Sequence, residues 1–336
     1  MITASPAARL SPAAPDWREL WRDAITDAGE LLQVLGLAHL SDRLPPGDAG
    51  FALRVPRGFV ARMRPGDPRD PLLLQVLPQL AELDRVPGFG ADAVGDLASL
   101  EARGVLHKYQ GRALLIASGS CAVNCRYCFR RHFPYGDGIA AAGQWRQALA
   151  HLQSDPTISE LILSGGDPLA LSNSKLEELG RGLAELPHVT RLRIHTRLPV
   201  VLPERVDAAF LAWFDALPLQ KVVVLHANHA NEFNPAVDAA CAALRQAGAT
   251  LLNQSVLLRG INDDTATLAA LSERLFATGV LPYYLHQLDR VQGAAHFEVD
   301  DARALALVEG MRGRLPGYLV PRLVREVAGD ASKRPL

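Results

Sequence analysis

Lysine and cysteine are the scarce residues of this 336-residue chain. Only four of its 35 basic residues are lysine (Lys108, Lys175, Lys221 and Lys333), so any lysine chemistry is easy to localise. Four cysteines are too few for a disulfide scaffold. No apolar run approaches the roughly 20 residues that a membrane-spanning helix needs. Met1 to Asp16 has no cationic segment followed by an apolar stretch, so no secretory signal is expected. Neither sign of charge dominates: 35 basic and 36 acidic residues leave a net charge of −1. That balance argues against nucleic-acid and membrane-surface partners. What is present, 49% hydrophobic and 21% charged residues, is the composition of a globular enzyme.

Residues 1–105 read as a mainly helical N-terminal cap region. Helical patterning spans Trp17–Leu37, and an apolar stretch runs from Pro71 to Leu83. The Pro-rich segment between them reads as turns, and no catalytic constellation stands out there. From Ala113 the texture changes. Strand-like runs fall at Ala113–Ala117, Glu160–Leu163, Arg191–Ile194, Lys221–Leu225, Thr250–Val256 and Pro282–Leu288. Helical stretches fall at Ala140–Gln153, Ser174–Leu186, Glu204–Ala216, Ala236–Ala247, Thr265–Ala277 and Ala302–Arg314. A period of about thirty residues is that of a βαβ unit. Six units predict an α/β fold, a partial (β/α)6 barrel-like parallel sheet spanning 106–336, with chemistry at the C-terminal strand ends. Those ends carry Ser164-Gly165-Gly166-Asp167, His195-Thr196-Arg197, His226 with Asn228, His229 and Glu232, Asn253-Gln254, and His286 with Asp289. A purely structural protein has no reason to gather such residues there.

Three of the four cysteines sit in C-x3-C-x2-C spacing at Cys121, Cys125 and Cys128. Three thiolates on one loop can hold three irons of a cubane and leave the fourth open, whereas structural zinc takes four protein ligands. Cys241 shares a helical face with Val237, Ala240 and Leu244 and reads as a buried apolar residue. The crowded thiols point to a reducing, cytoplasmic compartment.

The cysteine motif with Ser164-Gly165-Gly166-Asp167 resembles the radical S-adenosylmethionine superfamily. The segments Cys125–Arg131, Leu163–Leu169, Arg197–Pro203 and Asn253–Asp263 resemble the lysine 2,3-aminomutase family within it. Leu53–Phe59 and Asp70–Leu77 are similar to the subgroup that serves β-lysylation of elongation factor P. The resemblance implies a 4Fe–4S cluster on the three cysteines, S-adenosylmethionine on its open iron beside Ser164, Gly165, Gly166 and Asp167, and pyridoxal 5′-phosphate on Lys333. Tyr109, Arg112 and Gln254 match further cofactor contacts. Arg130 matches a residue for the substrate carboxylate, and Asp289 and Glu326 match two carboxylates for the ε-ammonium of L-lysine. Glu326 stands where the family has aspartate. No counterpart of the zinc-binding C-terminal extension of free lysine aminomutases is expected.

The implied function is conversion of L-lysine to (R)-β-lysine, fed by a one-electron reductant that the residues do not identify. A separate lysyl ligase would then attach the product to elongation factor P. Three alternatives remain: a free lysine 2,3-aminomutase of β-lysine metabolism, a radical S-adenosylmethionine maturase without pyridoxal phosphate, and a non-catalytic iron–sulfur or zinc sensor. His226 and His229 read as polar pocket lining, with a metal-ligand role as the alternative.

Overall fold

The computed structural model describes residues 16–336, apart from 103, 136–138 and 144. Among these described residues, ten strands form one sheet in sequential order. They are β1 (Leu100–Ala102), β2 (Val105–Tyr109), β3 (Arg112–Ser118), β4 (Glu160–Gly165), β5 (Arg191–Thr196), β6 (Gln220–His226), β7 (Ala249–Val256), β8 (Leu281–His286), β9 (Arg322–Arg325) and β10 (Arg334–Pro335). Strands β3 to β9 are parallel, and antiparallel pairs close both margins. The six expected strands are β3 to β8, and the sheet is an open, partial barrel. Two further strands follow them. Strand β9 adds a seventh parallel strand, and the β9–β10 hairpin returns the C-terminal segment to it, with Arg334 opposite Arg325. Neither is long enough to show periodicity in the sequence.

The crossover helices start where a short polar side chain can accept a free backbone N–H. Ser172, Asp207, Asn234, Asp264 and Asp300 accept from Lys175, Phe210, Val237, Thr267 and Arg303. Asp207 therefore starts a helix at Ala208, later than the Glu204 that periodicity suggested. The expected helix from Ala140 is also shorter. A 3-10 turn covers Ala140–Gly143 and the α-helix begins at Arg146. Between them Trp145, fully buried and at φ 62°, bonds the Lys175 carbonyl through its indole N–H. In the N-terminal region, the expected Trp17–Leu37 helix is two short ones, Trp17–Arg22 and Ala28–Val34. Ile25 interrupts them by exchanging backbone hydrogen bonds with Val55.

Period-two alternation decides what the barrel encloses. Leu115, Leu161, Leu163, Leu192 and Ile194 face the helices and join a core shared with Leu31, Phe59 and Leu72 of the N-terminal region. Their neighbours Ser164, Arg193, His195, His226, Gln254, Tyr284 and His286 face inward and line a cavity of about 670 Å³. A barrel interior is ordinarily filled by branched apolar side chains. Polar inward positions keep this one open. Among the described residues no helix is long and apolar enough to cross a membrane.

Candidate active site

The cysteine loop follows β3 and is pinned from outside the barrel. Asn124 N–H donates to the Arg54 carbonyl, and its side-chain amide to that of Ala52. Arg126 N–H donates to the Gln75 carbonyl. Glu82, fully buried at its side chain, accepts from Arg126 Nε (2.9 Å) and Nη2 (2.6 Å) and from Arg131 Nη2 (2.9 Å). Both guanidinium groups also lie over the Phe51 ring. The region that carried no visible constellation is thus the clamp that shapes the loop.

Cys121, Cys125 and Cys128 all open onto the cavity. Burial, and then the neighbouring thiols, push Cys121 well above the ordinary thiol range, and Cys128 up to about 11. These groups hold their protons until a metal displaces them, so metal binding releases protons. Among the described residues no three His, Cys, Asp or Glu side chains surround one point as ligands of a single ion would. Thiolates that each hold a different iron of a cubane need no such common centre. Cys241 is fully buried in the helical core, as its pattern suggested.

Gly165 and Gly166 line the cavity and also pack closely against the cysteine loop. A Cβ on Gly165, at φ 118°, would lie 2.6 Å from the Ser118 carbonyl oxygen, and one on Gly166 2.6 Å from that of Ser120. The glycines let strand end β4 press against the start of the cysteine loop, and Gly166 N–H donates to the Ser118 carbonyl at 2.6 Å. Asp167 is also occupied. Its carboxylate accepts from Thr196 Oγ1 and from the N–H groups of Arg197, Leu198 and Leu169, which ties β4 to the end of β5.

In the lining of the same cavity, Lys333 Nζ donates to Glu326 Oε2 at 2.6 Å, and Tyr109 donates to Glu326 Oε1 at 2.5 Å. Burial would raise the Glu326 carboxyl, but the Lys333 charge and these hydrogen bonds bring it below the usual range. Lys333, which position alone would assign to a frayed tail, is held by the β9–β10 hairpin. Arg112 stacks over Tyr109, and Gln254 faces inward from β7.

Arg130 is buried with Nε 2.7 Å from Asp96 and Nη1 donating to Ser164 Oγ at 3.1 Å. Neither contact uses Nη2. Asp96 also binds Lys108 Nζ at 2.6 Å, and these two cations hold its carboxyl low against the opposing effect of burial. No local sequence signal marks Asp96, which reaches the cavity only because its loop folds over the barrel. Asp289 has the opposite surroundings. Its Oδ1 is buried without a partner, and burial raises the acid to about 7, with Lys333 pulling the other way. An unpaired buried carboxylate is a receptor for a cation. Burial, followed by nearby cations, holds His195 and His286 well below the ordinary imidazole range, so both are neutral. His226 lines the cavity and shares a 2.8 Å hydrogen bond with Tyr127, whereas His229 caps the Ala230–Glu232 turn outside it.

Every residue that the family resemblance assigns to metal, cofactor or substrate therefore borders one chamber, and His229 does not. A partial parallel barrel whose cavity is lined by a three-cysteine loop is the architecture of a radical S-adenosylmethionine enzyme. The chain is 48% identical to L-lysine 2,3-aminomutase of Escherichia coli, over 97% of this chain and 96% of that protein. It is 44% identical to L-lysine 2,3-aminomutase of Haemophilus influenzae, over 97% and 98%. The chain belongs to the lysine 2,3-aminomutase family and is an aminomutase, an isomerase. The family implies a 4Fe–4S cluster and S-adenosylmethionine. No protein-family model matches the chain. Among solved structures, a radical SAM methyltransferase from Sphaerobacter thermophilus is similar at TM-score 0.48 and 18% identity, covering 66% of this chain and 68% of that one.

Proposed function

We propose that the protein converts L-lysine to (R)-β-lysine, with pyridoxal phosphate on Lys333, and that the product is used to modify elongation factor P. The observation that carries this reading is the shared chamber, which the three thiols and the Lys333 amine both line. The residues fit the cofactors: Lys333 offers an amine for an aldehyde, Arg112 a cation for a phosphate, and the thiols three iron ligands. When bound, pyridoxal phosphate supplies the route by which nitrogen passes between adjacent carbons, and the cluster with S-adenosylmethionine supplies a reversible hydrogen-atom abstractor.

The chain's own residues orient the substrate. Asp289 accepts the ε-ammonium, since its Oδ1 is buried and unpaired. Arg130 presents Nη2 to the carboxylate while Asp96 and Ser164 fix its plane. Glu326 holds the Lys333 ammonium, and so keeps the amine in the chamber before cofactor and substrate arrive. Placing the reacting groups is the protein's main contribution to rate. The N-terminal resemblance at Leu53–Phe59 and Asp70–Leu77 supports the elongation factor P role, with a separate lysyl ligase consuming the product. The three reduced thiols favour a cytoplasmic setting.

The test is anaerobic reconstitution with iron, sulfide and pyridoxal phosphate, then incubation with L-lysine, S-adenosylmethionine and dithionite. Chiral chromatography is expected to show (R)-β-lysine. Cleaved S-adenosylmethionine with untouched lysine would overturn the substrate assignment.

A further inference from the structure

Arg197, at the end of β5, is 6% exposed and held at four points by three separate parts of the chain. Its Nη1 donates to Cys125 Sγ at 2.7 Å and to Tyr127 Oη at 2.8 Å. Its Nη2 donates to Gln75 Oε1 at 2.7 Å and to Glu232 Oε2 at 2.9 Å. Two of the acceptors are themselves fixed. Tyr127 Oη also accepts from Asn228 Nδ2 at 2.6 Å, and Glu232 Oε1 accepts the N–H groups of Asn228 and His229. The side chains of Arg197 and Glu232 are almost fully buried, so water screens neither charge.

The cation, and not its counter-ion, makes the contact with sulfur. Glu232 neutralises the far nitrogen while Nη1 faces Cys125. Arginine suits this place because it stays charged when buried and its planar fork can serve two acceptors at each end. Lysine, with a single mobile nitrogen, could not span sulfur and carboxylate together.

We propose that Arg197 is a positioning residue that sets the reduction potential of the iron–sulfur cluster through its N–H···S contact with Cys125, with Glu232 opposing it. The proposal rests on the reading that Cys121, Cys125 and Cys128 hold that cluster. One-electron reduction adds negative charge to the cluster at the expense of an external one-electron donor. Cluster potentials respond to net charge, to hydrogen bonds on the sulfurs and to solvent exposure. A buried cation donating to a ligand sulfur stabilises the reduced form and raises the midpoint. A buried carboxylate behind it lowers the midpoint.

The test is an EPR-monitored potentiometric titration of the anaerobically reconstituted full-length protein, with iron and sulfide measured per chain. Arg197→Gln keeps a planar donor but removes the charge, and its midpoint is expected to be more negative than that of the wild type. Arg197→Lys is expected to lie between the two. Glu232→Gln removes the opposing charge, and its midpoint is expected to be more positive. Wild-type midpoints in both Arg197→Gln and Glu232→Gln would overturn the proposal. If Arg197→Gln assembles no cluster, Glu232→Gln decides, and an unchanged or more negative midpoint there overturns it. If neither variant holds iron, Arg197 serves the packing of the loop and the proposal falls. A wild-type protein that assembles no cluster would instead remove the functional reading beneath it.

Discussion

Lys333 and Glu326 are seven residues apart in sequence and meet at 2.6 Å across the β9–β10 hairpin, with Tyr109 on the second carboxylate oxygen. The glutamate that stands in the family's aspartate position is therefore committed to the lysine of its own chain. An ion-paired ammonium cannot attack an aldehyde. Glu326→Gln is expected to capture pyridoxal phosphate a few-fold faster at neutral pH, because a partly exposed pair contributes only about 0.2–1 kcal/mol. Stopped-flow absorbance of cofactor capture measures this, and a slower rate would contradict it.

Lys333→Ala is expected to remove the visible absorbance of bound pyridoxal phosphate while iron content stays at the wild-type level. Formation of β-lysine is expected to fall roughly a thousand-fold or more, the scale lost when a group that bonds covalently to the reacting species is removed. Retained absorbance would move the cofactor to another amine.

Asp289 gives the chain a pH signature. A cationic substrate needs the carboxylate form, so KM for lysine is expected to fall as pH rises through about 7. Asp289→Asn is expected to remove that dependence and raise KM by roughly 10- to 100-fold, since a hydrogen bond to a charged group is worth about 1.5–3 kcal/mol. Stability has the opposite sign. The folded state holds this proton more tightly than the unfolded chain, so the ligand-free protein loses stability as pH climbs from 3.8 through about 7. Urea titrations across that range, with and without the substitution, measure the slope.

Gly166→Ala places a methyl group 2.6 Å from a backbone oxygen of the cysteine loop. Overpacking costs about 1–3 kcal/mol, and here the loop is the part that must move. Iron per chain is expected to fall while far-UV circular dichroism is unchanged. Full iron loading would show that the loop tolerates the shift.

Glu82→Ala leaves Arg126 and Arg131 buried without their shared carboxylate. Breaking such a group costs about 3–5 kcal/mol, measurable as a lowered urea midpoint. A change below about 1 kcal/mol would mean that water reaches the vacated place and solvates both cations.

The parallel strands β3 to β8 were legible because each carries an apolar run flanked by a helical period, and the cysteine loop because its spacing is unusual. The short strands β9 and β10 were not. Two to four residues show no period, and their pairing depends on a turn that closes only over a finished sheet. The clamp formed by Gln75 and Glu82, and the partner that Asp96 gives Arg130, were also hidden. Gln75 and Glu82 are polar residues inside an apolar stretch and Asp96 lies in a segment without periodicity, and the importance of each lies in a contact 34 to 52 residues away.

The residue pattern alone determined the βαβ order and the crowding of three thiols on one loop, because periodicity and spacing are local properties of a chain, whereas Lys333 was singled out by a family resemblance. Only the folded structure decided what those residues face. Closing the sheet turned the polar phase of each strand inward. The same closure placed the Gly165–Gly166 backbone against the cysteine loop, assigned Glu326 to Lys333, and left Asp289 as the unpaired acceptor. Such assignments depend on which buried charges meet across the sheet, which no single segment of sequence encodes.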